Sequence, residues 1–138
     1  MRFPGKAAIV SFLIFFLLST TASAFASPLF PSDSRYATGV SPVKFAAGDL
    51  DGDGLLDLAV VNSQTNDLSV LIGQGDGTFS AAISYPLGFK PRAIAVSDFN
   101  NDGYPDAAVT CYESCSRGLY LLLNPGDGRF GSLTPVPG

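Results

Sequence analysis

Histidine is absent from the 138-residue sequence, glutamate occurs once, and there are only two cysteines. Without histidine the chain cannot form a Ser-His-Asp or Cys-His catalytic arrangement, nor the usual histidine-containing zinc and iron sites. No nucleophile has an obvious neighbouring base to activate it. We therefore expect the protein not to be an enzyme.

Positive charge is also scarce. Eight Lys and Arg residues stand singly along the chain, and the formal net charge is −4. No basic stripe is present that would bind nucleic acid or an anionic membrane surface. The composition is 46% hydrophobic and 14% charged, which is sufficient for one globular core.

The first 26 residues have the pattern of a secretory signal peptide. Two basic residues precede a run of twelve nearly all apolar residues, and small residues then allow cleavage after Ala24 or Ala26. The alternative, a transmembrane anchor, needs about 20 apolar residues. Cleavage removes two basic residues and leaves six against twelve acidic ones, a net charge of −6. We expect a secreted protein, extracellular or periplasmic, with no membrane span after cleavage.

Export affects the interpretation of the cysteines, because an oxidising compartment permits disulfides. Cys111 and Cys115 are too far apart for a C-x-x-C redox motif, and two thiolates alone do not make a zinc site. We predict a local disulfide bond, with a pair of free thiols as the alternative.

The sequence repeats itself. A shift of 49 positions aligns Asp49 with Asp98 and Gly54 with Gly103, and a shift of 51 positions aligns the two GDG turns, at 75–77 and 126–128. This predicts two tandem repeats, at about 30–78 and 79–130, within a repeat region covering 28–138.

Each repeat contains four short β-prone runs separated by turn residues. The runs are VKFAAG, DLAVVN, LSVLIG and FSAAISY in the first repeat, and RAIAVS, DAAVTC, LYLLLN and FGSLT in the second. LSVLI and LYLLL are apolar on both faces, so we expect these strands to be covered on both sides. The pattern predicts an all-β fold of β-propeller-like, four-stranded antiparallel blades, about two in number.

Two loops with a shared spacing hold most of the carboxylates. Oxygen donors fall at positions 1, 3, 5, 7 and 9, with glycine at position 6, which is the arrangement that Ca²⁺ requires. We predict about two calcium ions per chain. The predicted ligands are Asp49, Asp51, Asp53, the Leu55 carbonyl and Asp57 in the first acidic loop, and Asp98, Asn100, Asp102, the Tyr104 carbonyl and Asp106 in the second.

Two other interpretations are weaker. An EF-hand needs a bidentate glutamate at position 12, where this chain has Val60 and Val109. Ordinary Asp-Gly turns would explain the glycines, but they do not explain why the carboxylates recur in the same register 49 residues later. The GDG turns carry one aspartate each, so we interpret Asp76 as a turn residue and not as a ligand.

The stretches GDLDGDGLLDLAVVN, SDFNNDGYPDAAVTC, VLIGQGDGTFSAA and LLLNPGDGRFGS resemble FG-GAP-like (VCBS) repeats, which are related to the integrin α-type β-propeller repeats. The resemblance implies that each acidic loop binds calcium between the first two strands of a blade, through the residues named above. The second loop has Asn100 where the first has Asp51, so we expect it to bind more weakly.

The resemblance implies a secreted, calcium-binding, non-catalytic module for extracellular binding or cell adhesion. Its partner would be an extracellular protein or carbohydrate. The alternative is an accessory or truncated propeller domain of a secreted carbohydrate-active or other hydrolytic enzyme. Two blades cannot close a ring, so three arrangements are open: several chains assemble into a homo-oligomer, the chain is a fragment of a longer one, or the two repeats form a small open stack.

Overall fold

A computed structural model describes residues 35–113, 115 and 118–136. The predicted signal peptide lies outside these residues. The described part contains eight strands and no helix, and so no helix that could span a membrane. The strands are β1 (Pro42–Gly48), β2 (Asp57–Asn62), β3 (Asp67–Leu71), β4 (Ile83–Pro86), β5 (Lys90–Ser97), β6 (Asp106–Glu113), β7 (Leu119–Leu122) and β8 (Leu133–Pro135).

The strands form two antiparallel sheets in which neighbours in sequence are neighbours in space. The first sheet has the order β1-β2-β3-β4 and the second β5-β6-β7-β8. This confirms the prediction of an all-β fold with four-stranded antiparallel units. The first acidic loop joins β1 to β2, and the second joins β5 to β6. A turn at 63–66, with Asn66 at a φ of 55°, joins β2 to β3.

The main core lies between the two sheets. Side chains alternate between the faces of a strand, so every second residue of β2 and β3 points towards the second sheet. These residues and their counterparts on the second sheet form one buried apolar cluster. It includes Ala59, Val61, Leu68 and Val70 from the first sheet, and Ala107, Val109, Tyr120 and Leu122 from the second.

The outer faces of the two sheets differ in burial. On the first sheet, Leu58, Val60 and Leu71 form a second buried cluster with Tyr36 and Phe79 packed against it. On the second sheet, Leu119 is 38% exposed. The expectation that both apolar strands are covered on both sides is therefore correct for β3 and wrong for β7. The pattern of LYLLL is that of a doubly covered strand, but no further sheet of the described chain lies over its outer face.

Cys111 and Cys115 form a disulfide bond, as predicted. Cys111 lies in β6 and Cys115 in the connection to β7. The stretch from Cys111 to Leu119 is two residues longer than the equivalent stretch from Asn62 to Leu68 in the first repeat, so the disulfide closes the loop that holds the insertion.

Candidate metal centre

The first acidic loop is wound around the carboxylate of Asp49. Its Oδ1 accepts a hydrogen bond from the Gly52 N–H at 2.7 Å, and its Oδ2 accepts one from the Gly54 N–H at 2.9 Å. Gly52 and Gly54 have φ values of 80° and 84°, in the left-handed region that glycine enters without steric cost. The two glycines therefore let the chain turn back on its own first carboxylate.

The second acidic loop is closed in a similar way, with the N–H of position 5 in place of that of position 4. Asp98 accepts hydrogen bonds from the N–H groups of Asp102, at 3.2 Å, and Gly103, at 2.9 Å. Gly103 has a φ of 93°. Asn101, at the position equivalent to Gly52, has a φ of 61°. Position 4 of both loops therefore has a left-handed backbone conformation. Gly and Asn are the residues that best tolerate this conformation, but the sequence interpretation did not predict it.

The last carboxylate of the first loop is buried. Asp57 has no exposed surface, and its two oxygens accept hydrogen bonds from the N–H groups of Leu50 and Gly73, each at 2.7 Å. Burial raises the pKa of the Asp57 carboxyl above its ordinary value, although both hydrogen bonds lower it, and the nearby charges of Asp51 and Asp53 raise it further. The two donors are neutral N–H groups and do not balance the negative charge of Asp57. A cation beside this carboxylate would stabilise its ionised form.

The last carboxylate of the second loop is held in the same way. Asp106 is fully buried and accepts hydrogen bonds from the N–H groups of Phe99, at 3.1 Å, and Asn124, at 2.9 Å. In both repeats, position 9 therefore connects the start of the acidic loop to the residues before the GDG turn. Spacing alone did not predict this role.

The predicted ligands of the first loop lie partly together. One carboxylate oxygen from each of Asp49, Asp51 and Asp57 falls within 4.8 Å of the others, a separation that one metal ion can bridge. Asp53 is exposed, and its Oδ1 accepts a hydrogen bond from the Leu55 N–H at 2.8 Å. Metal binding by Asp49, Asp51, Asp53, the Leu55 carbonyl and Asp57 stays a prediction.

In the second loop, the side chain of Asn100 is engaged with that of Asp102. Its Nδ2 donates to Asp102 Oδ2 at 2.8 Å, and its Oδ1 accepts from the Asp102 N–H at 3.0 Å. Asp102 Oδ1 accepts from the Tyr104 N–H at 2.9 Å. Within the described residues, the carboxylates of this loop do not form a compact group like that of the first loop. Metal binding by Asp98, Asn100, Asp102, the Tyr104 carbonyl and Asp106 also stays a prediction.

The donor chemistry of both loops fits calcium. Ca²⁺ takes six to eight oxygen ligands in flexible geometry, including carboxylate, amide and main-chain oxygens. The first loop offers four carboxylates, and the second offers three and an amide. Each carboxylate oxygen that accepts one N–H retains a lone pair for a cation. A bound calcium ion would neutralise the repulsion among these charges and hold the loop closed.

The GDG turns are built differently. Asp76 Oδ1 accepts hydrogen bonds from the N–H and the hydroxyl of Thr78, at 2.9 and 2.5 Å. The hydroxyl, more than the N–H, holds the pKa of the Asp76 carboxyl below its ordinary value. Asp127 Oδ1 similarly accepts from the Arg129 N–H at 3.0 Å. Both aspartates close their own turns, as the sequence interpretation predicted.

Comparison with known proteins agrees with this geometry. Residues 49–109, from the start of the first acidic loop to β6, match the model of the FG-GAP-like repeat. No curated protein and no solved structure matches the chain. The matched segment contains both acidic loops and the first GDG turn, which are the features that carry the resemblance. Residues 49–109 therefore contain an FG-GAP-like repeat, which confirms the predicted repeat type.

Proposed function

We propose that the protein is a secreted calcium-binding module that acts in extracellular binding or adhesion. The observation that carries this proposal is the grouping of Asp49, Asp51 and Asp57 within 4.8 Å, where the buried carboxylate accepts hydrogen bonds from neutral N–H groups. Such a group is unfavourable without a cation among its charges. Calcium would stabilise the folded loops and perform no chemistry on a substrate.

Two features support secretion. The first 26 residues have the pattern of a signal peptide, and Cys111 and Cys115 form a disulfide bond. Disulfide bonds persist in oxidising compartments and are rare in the cytosol. FG-GAP-like repeats are also typical of extracellular proteins, which is consistent with this location.

A binding role is favoured over catalysis. The sequence has no histidine, and FG-GAP-like repeats are typically binding modules. Aromatic rings are exposed at the second acidic loop, where Phe99 is 43% and Tyr104 40% accessible. Exposed aromatic rings beside polar loops suit contacts with a protein or a carbohydrate. Turnover in a screen of polysaccharide substrates would contradict the non-catalytic role.

The outer face of the second sheet supports self-association. Ala108, Leu119 and Leu121 lie on this face, and their equivalents in the first repeat are residues on which the second sheet packs, namely Ala59, Leu68 and Val70. The face therefore has the apolar composition of one that accepts another sheet. A second copy of the chain would bury it.

Native mass spectrometry of the exported chain tests the proposal directly. We expect two bound calcium ions per chain in buffer with calcium, and their loss after chelation. Thermal unfolding should move to lower temperature when calcium is removed, because a ligand that binds only the folded state stabilises it. A chain that folds but takes up no calcium, even at millimolar concentration, would refute calcium binding.

A further inference from the structure

We propose that Asn124, in the second repeat, is a positioning residue for the metal site of the first acidic loop. The inference rests on the calcium binding proposed above. It means that the first loop is completed by the repeat that follows it, so that a calcium site and the packing of two sheets depend on each other.

Asn124 is fully buried, and both ends of its side-chain amide are engaged. Its Nδ2 donates to the carbonyl oxygen of Leu50 at 2.6 Å and to that of Pro105 at 3.0 Å. Its Oδ1 accepts from the Gly126 N–H at 3.0 Å. The contact with Leu50 joins residues 74 positions apart and links the first acidic loop to the turn of the second repeat.

Leu50 is the residue through which this contact reaches the ligands. It lies between Asp49 and Asp51, and its N–H donates to the buried carboxylate of Asp57 at 2.7 Å. The carbonyl held by Asn124 belongs to the peptide group that leads into Asp51. Holding that peptide plane restricts the position of the Asp51 backbone, and with it the region that the Asp51 carboxylate can reach.

A second contact supports the same peptide. The Gly128 N–H also donates to the Leu50 carbonyl, at 3.1 Å. Gly128 has so little space that an added Cβ would lie 3.1 Å from the Cβ of Asp51. The GDG turn of the second repeat therefore lies directly against the first loop, and Asn124 anchors the start of that turn.

The two acidic loops differ in the contacts that they make with a following repeat. Leu50 has no exposed surface, whereas its equivalent in the second loop, Phe99, is 43% exposed. Within the described residues, the support from a following repeat is thus specific to the first loop.

The test measures calcium affinity at one loop at a time in the full chain, by titration calorimetry. Asp102→Ala disables the second loop so that the first is observed, and Asp53→Ala does the reverse. Asn124→Ala removes the bonds to Leu50 and Pro105, and Asn124→Asp retains the acceptor for Gly126 but loses both donors. Gln74→Ala is the control, because this exposed carboxamide donates to the Ile72 carbonyl of its own repeat.

We expect both Asn124 variants to lower the affinity of the first loop about tenfold, as for other residues that orient metal ligands. The second loop should also lose affinity, though less, because the bond from Asn124 to the Pro105 carbonyl, beside Asp106, is removed as well. Gln74→Ala should change neither. Equal losses at both loops, or no loss at the first, would overturn the positioning role.

A measurement on the unmodified chain complements the variants. Calcium binding should slow hydrogen exchange at the Gly128 N–H, because ordering the first loop strengthens its bond to Leu50. If the chain binds calcium and the hydrogen-exchange rate of the Gly128 N–H stays the same, the inference is wrong. Absence of calcium binding to the wild-type chain would instead refute the proposed function itself.

Discussion

The carboxylate of Asp57 connects two separate parts of the first repeat. It accepts the N–H of Leu50, at the start of the acidic loop, and the N–H of Gly73, after β3, each at 2.7 Å. Asp106 makes the equivalent pair of bonds in the second repeat. The last acidic residue of each loop therefore has a structural role that does not depend on a metal ion.

Replacement of Asp57 should destabilise the protein even without calcium. Asp57→Ala leaves two buried N–H groups without a partner, at a cost of about 3 kcal/mol in the free energy of unfolding. Urea unfolding in the presence of a chelator would measure this. Asp53→Ala, at an exposed position, is the control and should have little effect under these conditions. Equal effects would mean that the hydrogen bonds of Asp57 contribute little.

The exposed aspartates that we predict to bind calcium should behave in the opposite way, with an effect on stability only when calcium is present. We expect Asp53→Ala and Asp102→Ala each to remove one calcium ion and to lower the melting temperature only when calcium is present. Asp76→Ala should leave the calcium stoichiometry unchanged, because Asp76 Oδ1 is engaged with Thr78 in its own turn. Native mass spectrometry gives the stoichiometry. If Asp76→Ala lost a calcium ion, the distinction between calcium-binding acidic loops and GDG turns would be wrong.

Position 4 of the second loop should favour glycine. Asn101 has a φ of 61°, and its equivalent, Gly52, has a φ of 80°. Asn101→Gly should be tolerated, whereas Asn101→Val should destabilise the protein by roughly 1–2 kcal/mol, because a β-branched residue is strained in the left-handed region. Chemical unfolding compares the two variants. Equal stability of both would show that the loop relaxes.

Self-association should depend on the second sheet. Leu119→Ser makes the exposed face of β7 more polar, and we expect it to weaken any oligomer seen by sedimentation. Val43→Ser is a matched control, because Val43 is similarly exposed, at 43%, but lies on β1 of the first sheet. An oligomer that responds to Val43→Ser and not to Leu119→Ser would place the interface elsewhere.

Much of the fold could be predicted from local patterns. The order of the strands, the antiparallel sheets and the disulfide all agree with the sequence interpretation. Short β-prone runs separated by turn residues specify hairpins through contacts between residues that are close in sequence. The bounds of the fourth strand were predicted less accurately. The whole run FSAAISY was expected to form a strand, but β4 begins only at Ile83. Before it, Ser80 bonds back to Ile72 around the GDG turn.

The acidic loops, their repetition and their suitability for calcium were determined by the sequence itself, because the spacing of carboxylates and glycines within nine residues is a local property. Tertiary structure decided the burial of Asp57 and Asp106, the exposure of Leu119 and the contact of Asn124 with Leu50. These features depend on how one sheet stacks on the next. That stacking brings together residues far apart in the chain, and no spacing within a single loop encodes it.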